Sequence, residues 1–331
     1  MINKEAKLSD KIFKKDIEKK EIRDGFGEGL VMAGESDEKV VALSADLADS
    51  TRVSYFKEKF PDRYFEVGVA EQSLVTVASG MANYGKIPYI ASYSIFSTGR
   101  VWEQIRTTVC LNNVPVKIIG SHGGLSAGPD GGNHQATEDI AIMRSLPNMI
   151  IVVPCDANEA QKAVLEAAKN GKPTFIRTQK YPSPLYTTHD SPFKIGKAEV
   201  LWESKEPKVA IIACGQLVYE TLKAARDLKK SEIGAIVINC HTIKPIDEQT
   251  IIHSAKIAGA VVTVEEHQVT GGLGSAVSEV VSRNFPVPIE FVGMRDVFGE
   301  SGKEEELLKK FGLKTTNIYD AARRAIKRKS Y

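Results

Sequence analysis

The sequence predicts an α/β chain of two domains, each a mostly parallel sheet covered by helices. Three observations carry that expectation. Short β-rich runs alternate with helical patterns from Lys39 onward, as in parallel sheets with helices on both faces. A stretch rich in Pro, Ser and Thr over 181–192 interrupts the alternation once. The 331 residues also exceed what one core usually holds. The boundary therefore falls in that stretch, giving a first domain over 1–186 and a second over 187–331.

Taken in order, the first twenty-odd residues are rich in Lys, Glu and Asp. Leu8, Ile12, Phe13 and Ile17 stand at near-helical spacing, which reads as an amphipathic lead-in helix or a partner-facing arm. Strands are predicted over 40–43, 64–69, 88–93, 116–120, 149–153 and 173–177, with helices between most of them. After the interruption a second series covers 209–213, 235–239, 260–265 and 289–292. The net charge of +2, from 44 Lys plus Arg against 42 Asp plus Glu, gives no field that argues for nucleic acid or an anionic membrane. Apolar runs such as 149–154 and 258–264 are too short to span a bilayer, and no secretory leader is visible, so a cytoplasmic location is expected. Cys110, Cys155, Cys214 and Cys240 stand far apart without a CxxC pair, which favours reduced, buried thiols.

In such sheets ligands bind beyond the carboxyl ends of the strands, so the residues just after each strand matter most. Glu71 falls where a strand turns into an apolar helix; by itself it is a carboxylate favouring a positive helix end. The segment 120–135 holds six glycines, His122, His134 and Asp130 directly after a strand. That composition admits close backbone approach and proton transfer near neutral pH, and favours function over a plain surface loop. Two histidines without a third ligand at suitable spacing argue against a metal site. In 92–104, Tyr93, Phe96 and Trp102 could sandwich a planar ring or fill the core, and spacing leaves both open. Gly271, Gly272 and Gly274 resemble a phosphate-binding turn but lack the G-x-G-x-x-G pattern, so a close-packing turn is the expected role.

These clusters, in that order, resemble the C-terminal half of transketolases, comprising the pyrimidine-binding domain and the C-terminal domain. The resemblance runs from about Arg23 to the end and rests on 61–66 leading to Ala70-Glu71-Gln72, the 120–135 loop, and the segments 144–148, 242–247 and 264–267. It implies a thiamine-diphosphate-dependent enzyme that moves a two-carbon ketol unit from a ketose phosphate to an aldose phosphate. By position Glu71 is the family's glutamate at the cofactor's aminopyrimidine, a role that needs a protonated carboxyl and is helped by burial. Tyr93 and Phe96 match aromatics that hold the pyrimidine; one extra residue before Glu103-Gln104 leaves a third aromatic unplaced. His134 and Asp130 match groups at the reacting end of the sugar. Arg23, Ser50, His122 and Lys180 match donors to the substrate phosphate, Lys180 standing where an arginine is usual.

Full transketolases also carry a domain that binds the diphosphate through Mg²⁺ or another divalent metal, signalled by Gly-Asp-Gly. That tripeptide is absent here, and Met1 lies a short way upstream of the resemblance. The implied partner is a separate N-terminal transketolase subunit, with a heterotetramer of two such pairs as the expected assembly. Rival readings are the β subunit of a 2-oxo acid dehydrogenase E1 component, which needs no sugar-phosphate donors, a fragment of a deoxyxylulose-phosphate synthase, and a non-catalytic interaction subunit. Retention of Glu71, His122, Asp130 and His134 together speaks against the last, because a scaffold needs none of them.

Overall fold

The structure, a computed structural model, describes residues 1–330. Its strands are β1 (Lys19–Glu21), β2 (Val40–Ser44), β3 (Tyr64–Glu66), β4 (Ile87–Tyr93), β5 (Lys117–Ser121), β6 (Ile150–Val152), β7 (Thr174–Arg177), β8 (Pro182–Pro184), β9 (Glu199–Glu203), β10 (Pro207–Ala213), β11 (Gly234–Asn239), β12 (Thr242–Lys244), β13 (Val261–Gln268) and β14 (Ile289–Met294). They form a seven-stranded sheet in the order β12-β6-β7-β5-β4-β2-β3, a five-stranded sheet in the order β14-β13-β10-β11-β9, and the ribbon β1-β8. Within the two large sheets only β12 on β6 and β9 on β11 pair antiparallel. Every strand predicted from the sequence is present.

Alternation of side chains across a strand explains why the first sheet is apolar on both faces. From β2, Val41 and Leu43 point to one side and pack with Leu74, Val75 and Ala78 of the helix Glu71–Asn83. Val40 and Ala42 point to the other and pack with Phe26, Leu30 and Ala33 of the helix Ile22–Ser36. The second sheet repeats this plan, with Leu217, Val218 and Leu222 covering one face and Leu273, Val277 and Val280 the other. All four cysteines are free and buried. Among the described residues no helix is long and apolar enough to cross a membrane.

Two features depart from expectation. The lead-in helix is not formed: before Ile22 there is a 3₁₀ turn, Lys4–Ala6, ended by Lys7 in the left-handed region at φ 48°. The segment instead lies against the second sheet of this chain. Asn3 donates from its backbone to the Leu201 carbonyl at 2.9 Å and from its side chain to that of Val200 at 2.8 Å, and Phe13 meets Trp202 edge-on at 6.4 Å. Contacts with the second sheet consume the apolar residues that suggested a helix, and a segment this short cannot sustain one alone. The second departure is β12, which lies beyond the interruption in sequence yet forms the edge of the first sheet.

The consequence for function lies at one end of the first sheet. Glu71 follows β3, Tyr93 and Phe96 stand at the end of β4, the glycine-rich loop follows β5, and Lys180 follows β7. All reach the carboxyl ends of parallel strands, where α/β sheets bind ligands.

Candidate active site at the carboxyl ends of the first sheet

Glu71 is the first residue of its helix and 4% exposed, yet it caps none of that helix's N–H groups. Its carboxylate instead accepts from Arg100 Nη1 at 2.9 Å. The Arg100 guanidinium also lies over the Phe96 ring, 4.3 Å from the centroid, a cation–π contact that fixes its plane. Phe96 runs nearly parallel to Tyr93, with an interplanar angle of 9° and centroids 6.1 Å apart. His122 stacks on Tyr93 at 3.9 Å, and His134 meets Phe96 edge-on at 5.3 Å. Five side chains that the sequence scatters over 71–134 thus form a carboxylate beside a wall of aromatic rings.

His122 is buried and sits in the left-handed region at φ 57°. Its Nδ1 shares a hydrogen bond of 3.0 Å with Ser121 Oγ, while Nε2 is buried without a partner. Burial first, then the charges of Arg23, Lys180, Arg52 and His134, push its pKa down to about 3, so the ring is neutral. Arg23, on the helix Ile22–Ser36, donates from Nε to Glu21 Oε2 at 2.7 Å and from Nη1 to the Ser50 carbonyl at 2.5 Å. Ser50 therefore meets Arg23 through its backbone. The Arg23 N–H donates to the Gln179 carbonyl at 3.3 Å, which brings Lys180 alongside.

The glycine-rich loop is held from below by the second domain. Leu125 N–H donates to Glu266 Oε1 at 2.6 Å, and Glu266 Oε2 accepts from Gln179 at 3.0 Å and Gln216 at 2.6 Å. Gly124 has φ +65°, and a Cβ there would come within 2.3 Å of the Glu266 carboxylate, so only glycine allows the loop this close to its support. Beneath it Arg177 Nε donates to Asp139 Oδ2 at 2.7 Å, and Ser94 Oγ donates to the same oxygen at 2.6 Å.

Among the residues singled out from the sequence, Glu71, Tyr93, Phe96, His122 and His134 converge, and Arg23, Ser50 and Lys180 lie together beside His122. Asp130 does not join the rings: it is exposed, at the end of the 3₁₀ turn Gly128–Asp130, on the side of Tyr181. The glycines at 271–274 form a packing turn, as expected, because the Leu273 and Gly274 N–H groups donate to the two oxygens of Glu265 at 2.7 and 2.8 Å. Among the described residues no cluster could hold a metal ion. Sequence reasoning missed Arg100, which stands inside the segment read for its aromatics, and the pair Glu21 and Arg52, whose charges alternate with Arg23 and Asp24.

Two families match this chain. One described as "Transketolase, pyrimidine binding domain" matches residues 18–184, and one described as "Transketolase, C-terminal domain" matches residues 196–318. A putative transketolase C-terminal section of Methanocaldococcus jannaschii is 40% identical, over 90% of this chain and 94% of the relative. A 6-deoxy-6-sulfo-D-fructose transketolase subunit, SqwH, of a Clostridium species is 39% identical, over 96% and 98%. A solved structure described as a split gene transketolase, an inactive beta4 tetramer, is 41% identical with a TM-score of 0.87, over 93% of this chain and 99% of that one. The human transketolase matches at 35% identity, this chain spanning 48% of its length. The chain belongs to the transketolase family and comprises its pyrimidine-binding and C-terminal domains.

Proposed function

We propose that this chain is the C-terminal subunit of a split transketolase and builds half of an active site shared with a diphosphate-binding partner. The observation that carries this reading is a buried carboxylate, Glu71, uncommitted to its own helix and set beside the Tyr93 and Phe96 rings. A planar heterocycle with a ring nitrogen fits that surface, and the partnerless Nε2 of His122 offers a further polar contact. Thiamine diphosphate, when bound, supplies a nucleophilic carbon able to attack a ketose carbonyl. Glu71 would face the pyrimidine nitrogen, and Tyr93 and Phe96 would hold the ring plane. The diphosphate and its Mg²⁺ fall to the partner, since no Gly-Asp-Gly occurs in this chain.

Ketol transfer moves protons on sugar hydroxyls. His134, half-buried at the edge of the ring wall, serves that end, while Asp130, exposed on the side of Tyr181, stands apart from it. Arg23, Ser50, His122 and Lys180 hold the far end of the sugar, with His122 as a neutral donor or acceptor. A heterotetramer of two such pairs in the cytoplasm is the expected working form. Similarity to a split gene transketolase structure and to a Clostridium transketolase subunit supports a separate partner chain.

The test is reconstitution. The chain alone, given thiamine diphosphate, Mg²⁺, a ketose phosphate and an aldose phosphate, should be inactive, and addition of a diphosphate-binding subunit should start ketol transfer. Full turnover by the single polypeptide would refute the shared site.

A further inference from the structure

Beside the neutral His122 the structure gathers three cationic side chains, and their charges are not equally available. Glu21 Oε2 accepts from Arg23 Nε at 2.7 Å and from Arg52 Nη2 at 2.8 Å, bridging the two guanidinium groups. Asp24 Oδ1 accepts from Arg52 Nε at 2.6 Å. Two arginines thus face two carboxylates and cancel. Arg23 is nearly buried and spends a further N–H on the Ser50 carbonyl, so it cannot swing free of Glu21 without losing both contacts. Among the described residues Lys180 has no carboxylate partner; only its backbone N–H is engaged, by Ser126 Oγ at 3.4 Å. One uncompensated positive charge remains, one residue after Gln179, whose carbonyl accepts the Arg23 N–H at 3.3 Å, and near enough to act on His122, whose buried Nε2 has no partner.

We infer that Glu21 is a specificity-determining residue: by neutralising Arg23 and Arg52 it leaves the sugar's anion site with a single effective charge, Lys180, and tunes it to a tetrahedral terminal group bearing one negative charge. The inference rests on the transketolase reading above and names the substrate class of that site. A sulfonate carries one charge at all working pH values, and a phosphate monoester carries one only near and below its second ionisation at about pH 6. A fully ionised phosphate brings a second charge that Glu21 opposes. Lysine suits this task, since its ammonium is a point charge without the fork that grips phosphate oxygens in pairs.

The test uses the reconstituted pair with three ketose donors that differ only in the terminal group: phosphate, sulfonate or hydroxyl. For the unaltered protein at pH 7.5, kcat/KM should be at least as high for the sulfonate as for the phosphate, with the hydroxyl donor well below both. Lowering the pH from 7.5 to 6 should raise the phosphate-to-sulfonate ratio of kcat/KM by several-fold, as the phosphate gains its proton. Glu21→Gln should raise the same ratio at pH 7.5 by about tenfold, through KM rather than kcat. Glu21→Asp keeps the charge and should hold the original ratio. A ratio unmoved by Glu21→Gln, or moved equally by Glu21→Asp, overturns the inference. If Glu21→Gln does not fold, a phosphate-to-sulfonate ratio that stays flat between pH 7.5 and 6 overturns it as well. Absence of turnover with all three donors would overturn the transketolase reading itself, a result distinct from either.

Discussion

Glu71 and Glu265 are buried glutamates, one in each domain, and each meets a helix start differently: Glu71 is itself the first residue of a helix, whereas Glu265 lies within β13 and reaches the start of the helix Leu273–Asn284 with its side chain. Their surroundings differ in one respect. Both oxygens of Glu265 accept N–H groups from the helix Leu273–Asn284, and His267 stands 3.7 Å away, so its bonding capacity is filled from within the fold. Glu71 caps nothing and meets one partly exposed arginine. The same architecture therefore gives a structural carboxylate in one domain and an available one in the other, and what separates them is which hydrogen bonds are already made.

The largest effect expected from this contrast is on turnover. Glu71→Ala, in the reconstituted pair, should lower kcat by about 10²–10⁴-fold, the range for loss of a positioned acid. Its unfolding midpoint in denaturant should stay close to that of the unaltered chain, because no N–H of the fold is orphaned. A large loss of stability with preserved turnover would exchange the roles of the two glutamates.

Next in size is the ion pair beneath the site. Arg177 and Asp139 are 1% and 0% exposed, and Arg177 also donates to the Ala136 and Glu266 carbonyls at 3.0 Å. Arg177→Met leaves Asp139 buried without its counter-charge and should cost about 3–5 kcal/mol in urea unfolding. A loss well under ~1 kcal/mol would mean that Ser94 and local water suffice to hold that carboxylate.

Much of this was legible in the sequence, and what was not has physical causes. Central strands such as β4 and β5 are buried on both faces, so they read as contiguous apolar runs that periodicity finds directly. β1, β8, β9 and β12 escaped: β8 is Pro-Ser-Pro, a ribbon composition that no strand propensity favours, and β12 gains its partner only through the tertiary placement of the second half against β6. The amphipathic spacing at Leu8, Ile12, Phe13 and Ile17 was real, but its apolar side chains meet the second sheet without forming a helix. At the site, residue type and position after a strand singled out the 120–135 loop with its histidines, whereas Glu71, Tyr93 and Lys180 took their expected roles only from the family resemblance. Arg100 and Glu21 were not selected, because their meaning lies in partners 29 and 31 residues away in sequence, Glu71 and Arg52, and a charge pattern does not say which charge it meets.

A smaller effect tests the structural glutamate. In Glu265→Gln one of the two helix N–H groups faces an amide nitrogen in place of an oxygen. The cost should be about 1–3 kcal/mol in denaturant unfolding, the range for a buried donor left unsatisfied. Ketol transfer by the folded fraction should be retained, the reverse of the outcome at Glu71.

A pH profile tests how the second domain supports the first. Gln216 Nε2 donates both to Glu266, which holds the Leu125 N–H of the glycine-rich loop, and to Glu304 Oε1 at 2.8 Å. Burial first, and then the neighbouring Glu266 charge, push the Glu304 pKa from 4.5 up to about 8. A carboxyl raised on folding favours the folded state while it is protonated in that state, so its contribution is complete below the unfolded value and is lost as pH rises through the folded one. Stability attributable to Glu304 should therefore decline between about pH 4.5 and pH 8. Glu304→Gln, which stays neutral, should flatten that part of the profile when urea midpoints are compared at pH 5 and pH 8.5. If the two profiles keep the same slope, Glu304 is ionised throughout and Gln216 bridges two charges; the support under the glycine-rich loop would then rest on Glu266 and Gln179 without a titrating neighbour.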